Sequence, residues 1–363
     1  MLNTLFDWFD GLQQFFVRLI KLYRVQNLKD KGIIWSFGLL IVTLLVIYLV
    51  LGFLWSREPA LFDVREQTQS VISELNDKAA KQYKVVVGAT TTATTINVGK
   101  TLLNKPGGYL SNDVTPPGIF LDNIPNWEYG VLVQIRDMAR VLRNDFSMSQ
   151  STSTEDKDLN LAEPAFNNDA DKWLWPASEG KYQQGIDYLY KYLERLIDED
   201  KHNAQFFARA DNLVDWLQVV EKRLGSLSQR LSASVGQERI NTDLAGDAQA
   251  QQATSSPENM LIKTSWFEID DVFYEARGTA WALVHLLHAV EYDFRPVLKK
   301  KNALLSLKQI IRELEATQDP IWSPIILNGS GFGVTANHSL VMASYISRAN
   351  AAIIDLKRLL KDG

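Results

Sequence analysis

The longest uninterrupted run of apolar residues covers residues 33–55 and contains no charged side chain. A helix of that length extends about 34 Å, which is enough to cross the hydrocarbon core of a bilayer. Trp35 and Trp55 stand near its two ends, where tryptophan commonly anchors a span at the membrane interface. The pattern predicts one transmembrane helix, because no second apolar run of comparable length follows. A buried core helix is the alternative.

Basic residues are distributed unequally about this run. The positive-inside rule predicts that residues 1–32 stay in the cytoplasm and that residues 56–363 are exported. A cleavable signal peptide is disfavoured, because the run starts late, is too long and lacks a small-residue cleavage site after it. The basic residues before the run are Arg18, Lys21, Arg24, Lys29 and Lys31, and those close behind it are Arg57 and Arg65.

Residues 1–32 carry a second pattern, in which apolar and aromatic residues recur at spacings of three and four. This periodicity predicts a cytoplasmic amphipathic helix that lies flat on the inner leaflet, since it directly precedes the span. Binding to a neighbouring protomer or to a partner helix is the alternative. The stripe consists of Leu5, Trp8, Phe9, Leu12, Phe15, Phe16, Leu19 and Tyr23.

In residues 56–363 the spacing of apolar residues predicts a mainly α fold, a helical-bundle periplasmic domain with long loops. The run "YKVVVGATTTATT" has the valine and threonine content of a strand, so a short strand is an alternative there. Residues 147–171 resemble a polar connection, and residues 241–259 a mobile linker. The predicted helices cover residues 61–104, 127–144, 179–199, 203–235, 266–293, 302–317 and 337–361.

The composition limits the chemistry that the chain can perform. Hydrophobic residues make up 46% and charged residues 22% of the 363 residues, which is typical of a folded protein. The net charge of -5 gives no general attraction to nucleic acid. The sequence has no cysteine, which removes disulfides, thiolate metal sites and thiol nucleophiles.

Two catalytic patterns occur and fail on detail. "TTINVGKTLL" ends in Gly-Lys-Thr, but Thr94 stands where a phosphate-binding loop needs glycine, and the segment is predicted to be exported away from ATP. Ser178 and Lys181 form a Ser-x-x-Lys pattern of acyl-enzymes, but the accompanying motifs at 111–113 and 263–265 are out of order and degenerate. We therefore expect neither nucleotide binding nor a cofactor, and no catalytic residue is predicted.

Histidines supply the remaining candidate for a metal site. His285, His288 and Glu291 follow one another at steps of three on one predicted helix, close enough to approach a common ion. No paired metal-binding motif accompanies them. Packing and hydrogen bonding inside a helix interface is the preferred interpretation, so these three residues are weak metal candidates.

The same predicted helix, 266–293, has two contrasting faces. One is a regular apolar stripe, whereas the other carries aromatic, arginine and histidine residues, which are enriched in interface hot spots and ligand clefts. Packing against a second helix, a subunit or partner interface, and a ligand cleft are the three interpretations. The candidate interface residues are Asp270, Tyr274, Arg277, Trp281, His285, His288 and Tyr292.

Two segments rich in aromatic residues resemble binding loops. Trp127, Glu128 and Tyr129 stand beside a helix start, and Trp173 and Trp175 precede a proline. Aromatic rings with carboxylates can stack on sugars, although such loops more often close over a core. These features support an alternative function, a periplasmic glycan-binding protein or metal-dependent hydrolase.

Four long stretches carry a family resemblance: "TLLNKPGGYLSND", "DNIPNWEYGVLVQIRDMARVLRNDFSMSQS", "RADNLVDWLQVVEKRLGSLSQRLSAS" and "DDVFYEARGTAWALVHLLHAVEYDF". The sequence resembles domain-of-unknown-function family 2333, membrane-anchored proteins of proteobacteria, over nearly the whole chain. The resemblance implies a Gram-negative inner membrane with the domain in the periplasm. It implies no reaction and no catalytic residue.

The expected function is that of a scaffold, adaptor or oligomeric assembly component of the cell envelope. The expected partners are membrane lipid and either further copies of the chain or another envelope protein, with no nucleic acid and no nucleotide. Lipid handling is a third possibility that the sequence does not rank.

Overall fold

The structure is a computed structural model, in which the chain divides into two compact units, Met1–Leu54 and Trp55–Gly363. The predicted amphipathic stripe, apart from Tyr23, and the predicted linker up to residue 258 lie outside the described residues. The described residues are 21, 23, 25–79, 81–149, 154–198, 200, 203–240, 259–323, 325–330 and 332–362.

The first unit is described by helix α1, Val25–Trp55, which is interrupted at Gly32, where φ is 84°. From Lys31 to Trp55 this helix is long and apolar enough to cross a membrane. Its side chains are mostly exposed, with Ile33 87% and Ile34 91% accessible. Apolar side chains without a protein covering are what a membrane span presents to lipid.

The second unit is mainly helical, as the apolar periodicity predicts. Short 3-10 turns at Gly118–Phe120, Ala233–Val235 and Trp266–Glu268 and a π turn at Leu142–Phe146 supplement the α-helices. The helices of this unit are α2 (Val64–Ala79), α3 (Ala89–Asn104), α4 (Asn123–Val141), α5 (Leu159–Phe166), α6 (Ser178–Ile197), α7 (Ala210–Ser232), α8 (Ile269–Asp293), α9 (Arg295–Lys300), α10 (Leu304–Ala316) and α11 (His338–Asp362).

Strand structure in the described residues is limited to one antiparallel hairpin of β1 (Gln237–Ile240) and β2 (Asn259–Ile262), together with an isolated bridge between Asn328 and Asn337. Gln237 pairs with Ile262, and Ile240 pairs with Asn259. The predicted linker thus ends one residue earlier than expected, because Asn259 already belongs to a strand.

Helix α8 forms the centre of the domain unit, because α3, α4, α7, α10 and α11 all pack against it. Its closest neighbour is α4, and glycines make that approach possible. A Cβ atom on Gly278 would lie 2.0 Å from the Trp127 carbonyl oxygen, and one on Gly130 would lie 2.2 Å from the Glu275 carbonyl oxygen. The backbones of the two helices therefore meet where neither can carry a side chain.

One end of the domain unit collects four loops around the point where the chain arrives, and we name it the Trp55 end. Trp55 packs on Gly107 in the α3–α4 loop. That loop contacts the α5–α6 loop, because the Tyr109 hydroxyl donates to the Ala170 carbonyl at 3.0 Å. Asn126, at the start of α4, donates to Asp271 at the start of α8 at 2.6 Å. The α10–α11 loop and the β-hairpin adjoin the same end.

The opposite end, the Tyr292 end, is closed by aromatic side chains from three connections. The Phe146 and Phe294 ring centroids are 5.1 Å apart, and Phe206 lies 5.1 Å from Phe146. The Phe207 N–H donates to the Phe146 carbonyl at 2.6 Å. This end is therefore sealed by buried and half-buried rings.

The threonine-rich run for which a short strand was the alternative is helical, since residues 89–104 form α3. The Thr92 and Thr95 hydroxyls donate to the Gly88 and Thr91 carbonyls, each at 2.8 Å. Asp293 of α8 accepts both the N–H and the hydroxyl of Thr91 at 2.7 Å, which caps the start of α3. Tertiary contacts thus override strand propensity here.

One helix boundary differs from the predictions, and two short helices were not predicted. The helix predicted over 203–235 begins only at Ala210, and residues 203–209 before it have no regular secondary structure. The predicted polar connection 147–171 contains the short helix α5, which Pro164 and its eight-residue length hide from periodicity. The short helix α9 also escaped prediction, because six residues give no periodic signal.

Candidate functional site

The predicted interface face of α8 is partly covered by the 55–62 segment that follows the apolar helix. Arg277 is buried and pairs with Glu58, with its Nε 2.8 Å and 2.9 Å from the two carboxylate oxygens. Its Nη1 also donates to the carbonyls of Thr317 and Asp319, at 2.8 Å and 3.0 Å. One guanidinium therefore holds together the 55–62 segment, α8 and the α10–α11 loop.

Trp281 lies one turn further along α8 and is fully buried. Its Nε1 donates to the Ala60 carbonyl at 3.4 Å. Its ring lies 5.2 Å from the Trp127 ring and 5.9 Å from the Phe62 ring, between centroids. The side chain thus joins α4 and the 55–62 segment to α8.

His285 completes this contact, and its ring stacks on Phe62 with 3.8 Å between centroids. The Phe62 N–H donates to Nε2 at 3.0 Å, and Nδ1 lies 2.7 Å from the Trp281 carbonyl. This arrangement requires a neutral ring with its proton on Nδ1. Burial lowers the pKa of His285 to about 4, which agrees with that state. We call Glu58, Phe62, Arg277, Trp281 and His285 the α8 clamp.

The rest of the predicted face stays partly accessible. Asp270, Tyr274, His288 and Tyr292 are half-exposed. The Arg65 guanidinium lies 5.3 Å from the Tyr292 ring centroid, a cation–π contact. The structure therefore divides the predicted set into Arg277, Trp281 and His285, which the chain itself covers, and four residues that remain open to an interaction.

The weak metal candidates do not converge on a common point. Both ring nitrogens of His285 already serve the clamp, whereas His288 lies 3.4 Å from Glu315 and 3.9 Å from Glu291. In the described part of the chain, no group of three or more histidine, aspartate and glutamate residues is placed to hold a metal ion. The residues present therefore offer no assembled ligand set.

An open groove lies beside Tyr292, and we name it the α2–α8 groove. Its volume is about 320 Å³, and two of its lining residues, Val85 and Val87, are 56% and 51% exposed. Arg65 and Tyr292, which contact each other, contribute a cation and an aromatic ring to the lining. The full lining is Arg65, Thr68, Gln69, Val85, Val86, Val87, Thr90, Tyr292 and Asp293.

A second groove, of about 490 Å³, lies at the start of α8 beside the hairpin. Burial, together with the nearby carboxylates of Asp270 and Asp122, raises the pKa of Asp271 to about 6. Arg230, which also lines this groove, pairs with Glu275 at 2.7 Å. Sequence reasoning missed this groove, although the acidic run "EIDD" at the helix start was a signal for it.

The residues of the two catalytic sequence patterns do not form an active site in the structure. Gly99, Lys100 and Thr101 lie inside α3 and form no phosphate loop, and Lys100 pairs with Glu74 at 3.3 Å. The Ser178 hydroxyl donates to the carbonyls of Asp169 and Lys172, at 2.7 Å and 3.1 Å. The Lys181 ammonium donates to Gln184 at 3.4 Å, so it does not serve Ser178 as a base.

The two aromatic segments have different environments. Trp127 and Glu128 are fully buried, and the Glu128 carboxylate accepts the N–H groups of Leu110 and Ser111 and pairs with Lys105. This segment closes over the core, with Tyr129 at its edge. Trp173 and Trp175 are 56% and 96% exposed. Only the second segment thus offers tryptophan faces to another molecule.

The sequence matches, over residues 28–363, a family described as an uncharacterized protein conserved in bacteria (DUF2333). The chain belongs to this family. The match confirms the resemblance seen in the sequence, and it covers the apolar helix as well as the helical domain. Comparisons with curated proteins and with solved structures give no significant match.

Proposed function

We propose that this member of the family is a single-pass inner-membrane protein with residues 1–32 in the cytoplasm and residues 56–363 in the periplasm. Its domain acts as a scaffold, adaptor or oligomeric assembly component of the cell envelope, through contacts with other proteins or further copies. The apolar helix Lys31–Trp55 and the excess of basic residues before it support the anchor and its orientation.

The α2–α8 groove carries the scaffold part of the proposal. Val85 and Val87 are more than half exposed beside Tyr292 and Arg65, which gives an apolar strip flanked by an aromatic ring and a cation. Tyrosine and arginine are enriched among the residues that dominate protein interfaces. The α8 clamp supports the same role, because it ties the segment leaving the apolar helix to the central helix.

The test is the native mass of the full-length protein, extracted gently from membranes, with its co-purifying proteins identified. Arg277 and Trp281 are unsuitable for substitution, since they are buried. We expect a discrete homo-oligomer or stable hetero-complex in the wild type. The Val85→Asp/Val87→Asp variant should lose partner recovery by about tenfold or more, because hot-spot contacts contribute about 2 kcal/mol.

Leu161→Asp is the matched control, since Leu161 on α5 is 50% exposed and outside the groove. It should assemble like the wild type. A monomeric wild type without co-purifying protein would contradict the scaffold function. Normal assembly of the double aspartate variant would show that the groove is not the contact.

A further inference from the structure

Exposed tryptophan and phenylalanine side chains of the domain unit share one location. Among its described residues, every tryptophan and phenylalanine that is exposed lies in a connection at the Trp55 end. Trp322 and Trp175 are 94% and 96% exposed. The full set is Phe120, Trp173, Trp175, Trp266, Phe267, Trp322 and Phe332.

Contacts between the connections establish that these rings belong to one end. Asn112 in the α3–α4 loop donates to the Lys172 carbonyl at 2.8 Å, next to Trp173. The Thr264 N–H donates to the Ala233 carbonyl at 3.0 Å, which holds the start of α8 and Trp266 beside the end of α7. Through Arg277, the 55–62 segment reaches the Asp319 carbonyl, three residues before Trp322.

The α10–α11 loop extends this surface beyond Trp322. Its far side is fixed to the bundle by a 2.8 Å bond from the His338 N–H to the Leu327 carbonyl, and the His338 ring lies 6.4 Å from Phe273 of α8. Phe332 and Val334, between these points, are fully exposed. The loop thus presents apolar side chains from a fixed base.

The Tyr292 end is the internal comparison. Its rings, Phe146, Phe206 and Phe294, pack on each other and close the bundle. The sequence therefore hides aromatic side chains at one end and displays them at the other. Exposed rings in such number mark an interaction surface, because water solvates them poorly.

The position of this surface identifies its occupant. The candidate membrane span ends at Trp55, and Trp55 packs on the same end of the domain. Tryptophan and phenylalanine favour the boundary between lipid headgroups and acyl chains. Exposed charges at this end are of both signs, since Asp122, Asp171 and Asp319 stand with Lys172 and Lys263. Aromatic insertion rather than attraction of a basic patch to anionic lipid would therefore hold this end there.

We propose that the Trp55 end is a membrane-contact surface whose aromatic loops insert into the interface of the leaflet facing the domain. This inference rests on the proposed membrane anchor and adds to it: the domain is held by its loops as well as by its span. The domain would then lie on the bilayer in one orientation and leave the Tyr292 end facing away from it.

Site-directed spin labelling tests this contact. Because the chain has no cysteine, each introduced cysteine is the single labelling site. Single variants Trp175→Cys, Trp322→Cys and Phe332→Cys of the full-length protein are labelled with a nitroxide in vesicles of phosphatidylethanolamine and phosphatidylglycerol. Leu305→Cys is the aqueous control, since Leu305 is 80% exposed at the Tyr292 end, and Leu45→Cys reports on the span. The readout is collision with oxygen, which concentrates in lipid, against collision with a water-soluble nickel complex.

We expect an oxygen-to-nickel collision ratio several-fold higher at the three loop positions than at Leu305→Cys. Loop labels as accessible to nickel as the control overturn the inference. Loop labels shielded from both reagents also overturn it, because they would show that protein covers this end. If the Leu45→Cys label is in lipid and the loop labels are in water, the membrane-contact inference is wrong and the proposed anchor stands. If the Leu45→Cys label is in water, the proposed anchor is contradicted, whatever the loop labels report.

Discussion

At the scale of single residues, His285 combines full burial with two hydrogen bonds that only its neutral form can make. In the folded state it binds a proton less readily than in the unfolded state, since burial lowers its pKa from 6.5 to about 4. Stability contributed by the neutral ring is therefore present above pH 6.5 and is lost as the pH falls towards 4. Protonation would also place two N–H groups, those of Nε2 and Phe62, against each other.

The first prediction concerns this pH dependence. The free energy of unfolding of the detergent-solubilised protein should fall between pH 6.5 and 4.5, with a His285 contribution approaching about 3 kcal/mol at the acid limit. His285→Gln should be less stable than the wild type at pH 7.5, with a gap that narrows on acidification. Urea titrations at several pH values measure it.

His288→Gln is the control, since it replaces a half-exposed histidine on the same helix and outside the clamp. Its pH profile should follow that of the wild type. A constant gap between His285→Gln and the wild type from pH 7.5 to 4.5 would contradict the neutral, buried imidazole.

The pH dependence of stability that Asp271 contributes has the opposite sign to that of His285. Its pKa is raised from 3.8 to about 6, so the folded state binds the proton more readily, and the stability gained below pH 3.8 is lost as the pH rises through 6. Asp271→Asn should stabilise the protein at pH 7.5 by on the order of 1 kcal/mol, a value reduced by solvent screening of this partly exposed group.

The same urea titration checks this prediction. At pH 4 the gain from Asp271→Asn should vanish. Asp187→Asn, at an exposed position of α6, should give no such pH-dependent gain. Equal stability of Asp271→Asn and the wild type at pH 7.5 would show that burial and the acidic neighbours do not destabilise the charged form of Asp271.

At the scale of elements, the contact between α4 and α8 depends on residues without side chains. Gly278→Ala should destabilise the domain by about 2–3 kcal/mol, because its Cβ would lie 2.0 Å from the Trp127 carbonyl oxygen and the two helices would have to separate. Chemical denaturation followed by tryptophan fluorescence gives the change.

Gly180→Ala makes the same substitution in helix α6, where no atom lies within 4 Å of the new Cβ. It should stabilise the protein by about 0.5–1 kcal/mol, since alanine restricts the unfolded chain and favours a helix. A neutral or stabilising Gly278→Ala would mean that the α4–α8 approach is less tight than described.

Local sequence patterns were sufficient to predict most helices. They were insufficient where residues far apart in the sequence determine the local structure. Apolar periodicity located α6, α8, α10 and α11 to within a few residues. The threonine run of α3 was ambiguous, because its cap, Asp293, is supplied from 202 residues further along the chain. The hairpin was missed for the same reason, since its strands lie on either side of residues 241–258.

The candidate site shows the same limit. The contrast between the two faces of α8 was visible in the sequence, and it pointed to a special surface. That Glu58 would cover part of it was not visible, because Glu58 and Arg277 are 219 residues apart. Three of the seven predicted residues therefore became interior contacts, and the open remainder led to the α2–α8 groove.

At the scale of the whole domain, the two ends offer different chemistry to their surroundings. The Trp55 end displays aromatic rings, whereas the Tyr292 end seals its rings and opens the α2–α8 groove. If the first end lies on the bilayer, the second is the one that faces away from it and remains accessible to a partner. The membrane and partner proposals thus use separate surfaces and can be tested independently.

The length of α8 then sets a condition on that partner. Its 25 residues, Ile269–Asp293, extend about 37 Å from the Trp55 end to the Tyr292 end. A peptide tether rooted in the same leaflet covers at most about 3.5 Å per residue when fully extended. Any binding segment joined to its own membrane anchor by fewer than about ten residues would therefore not reach the groove. The length of the tether thus determines which membrane proteins can bind there.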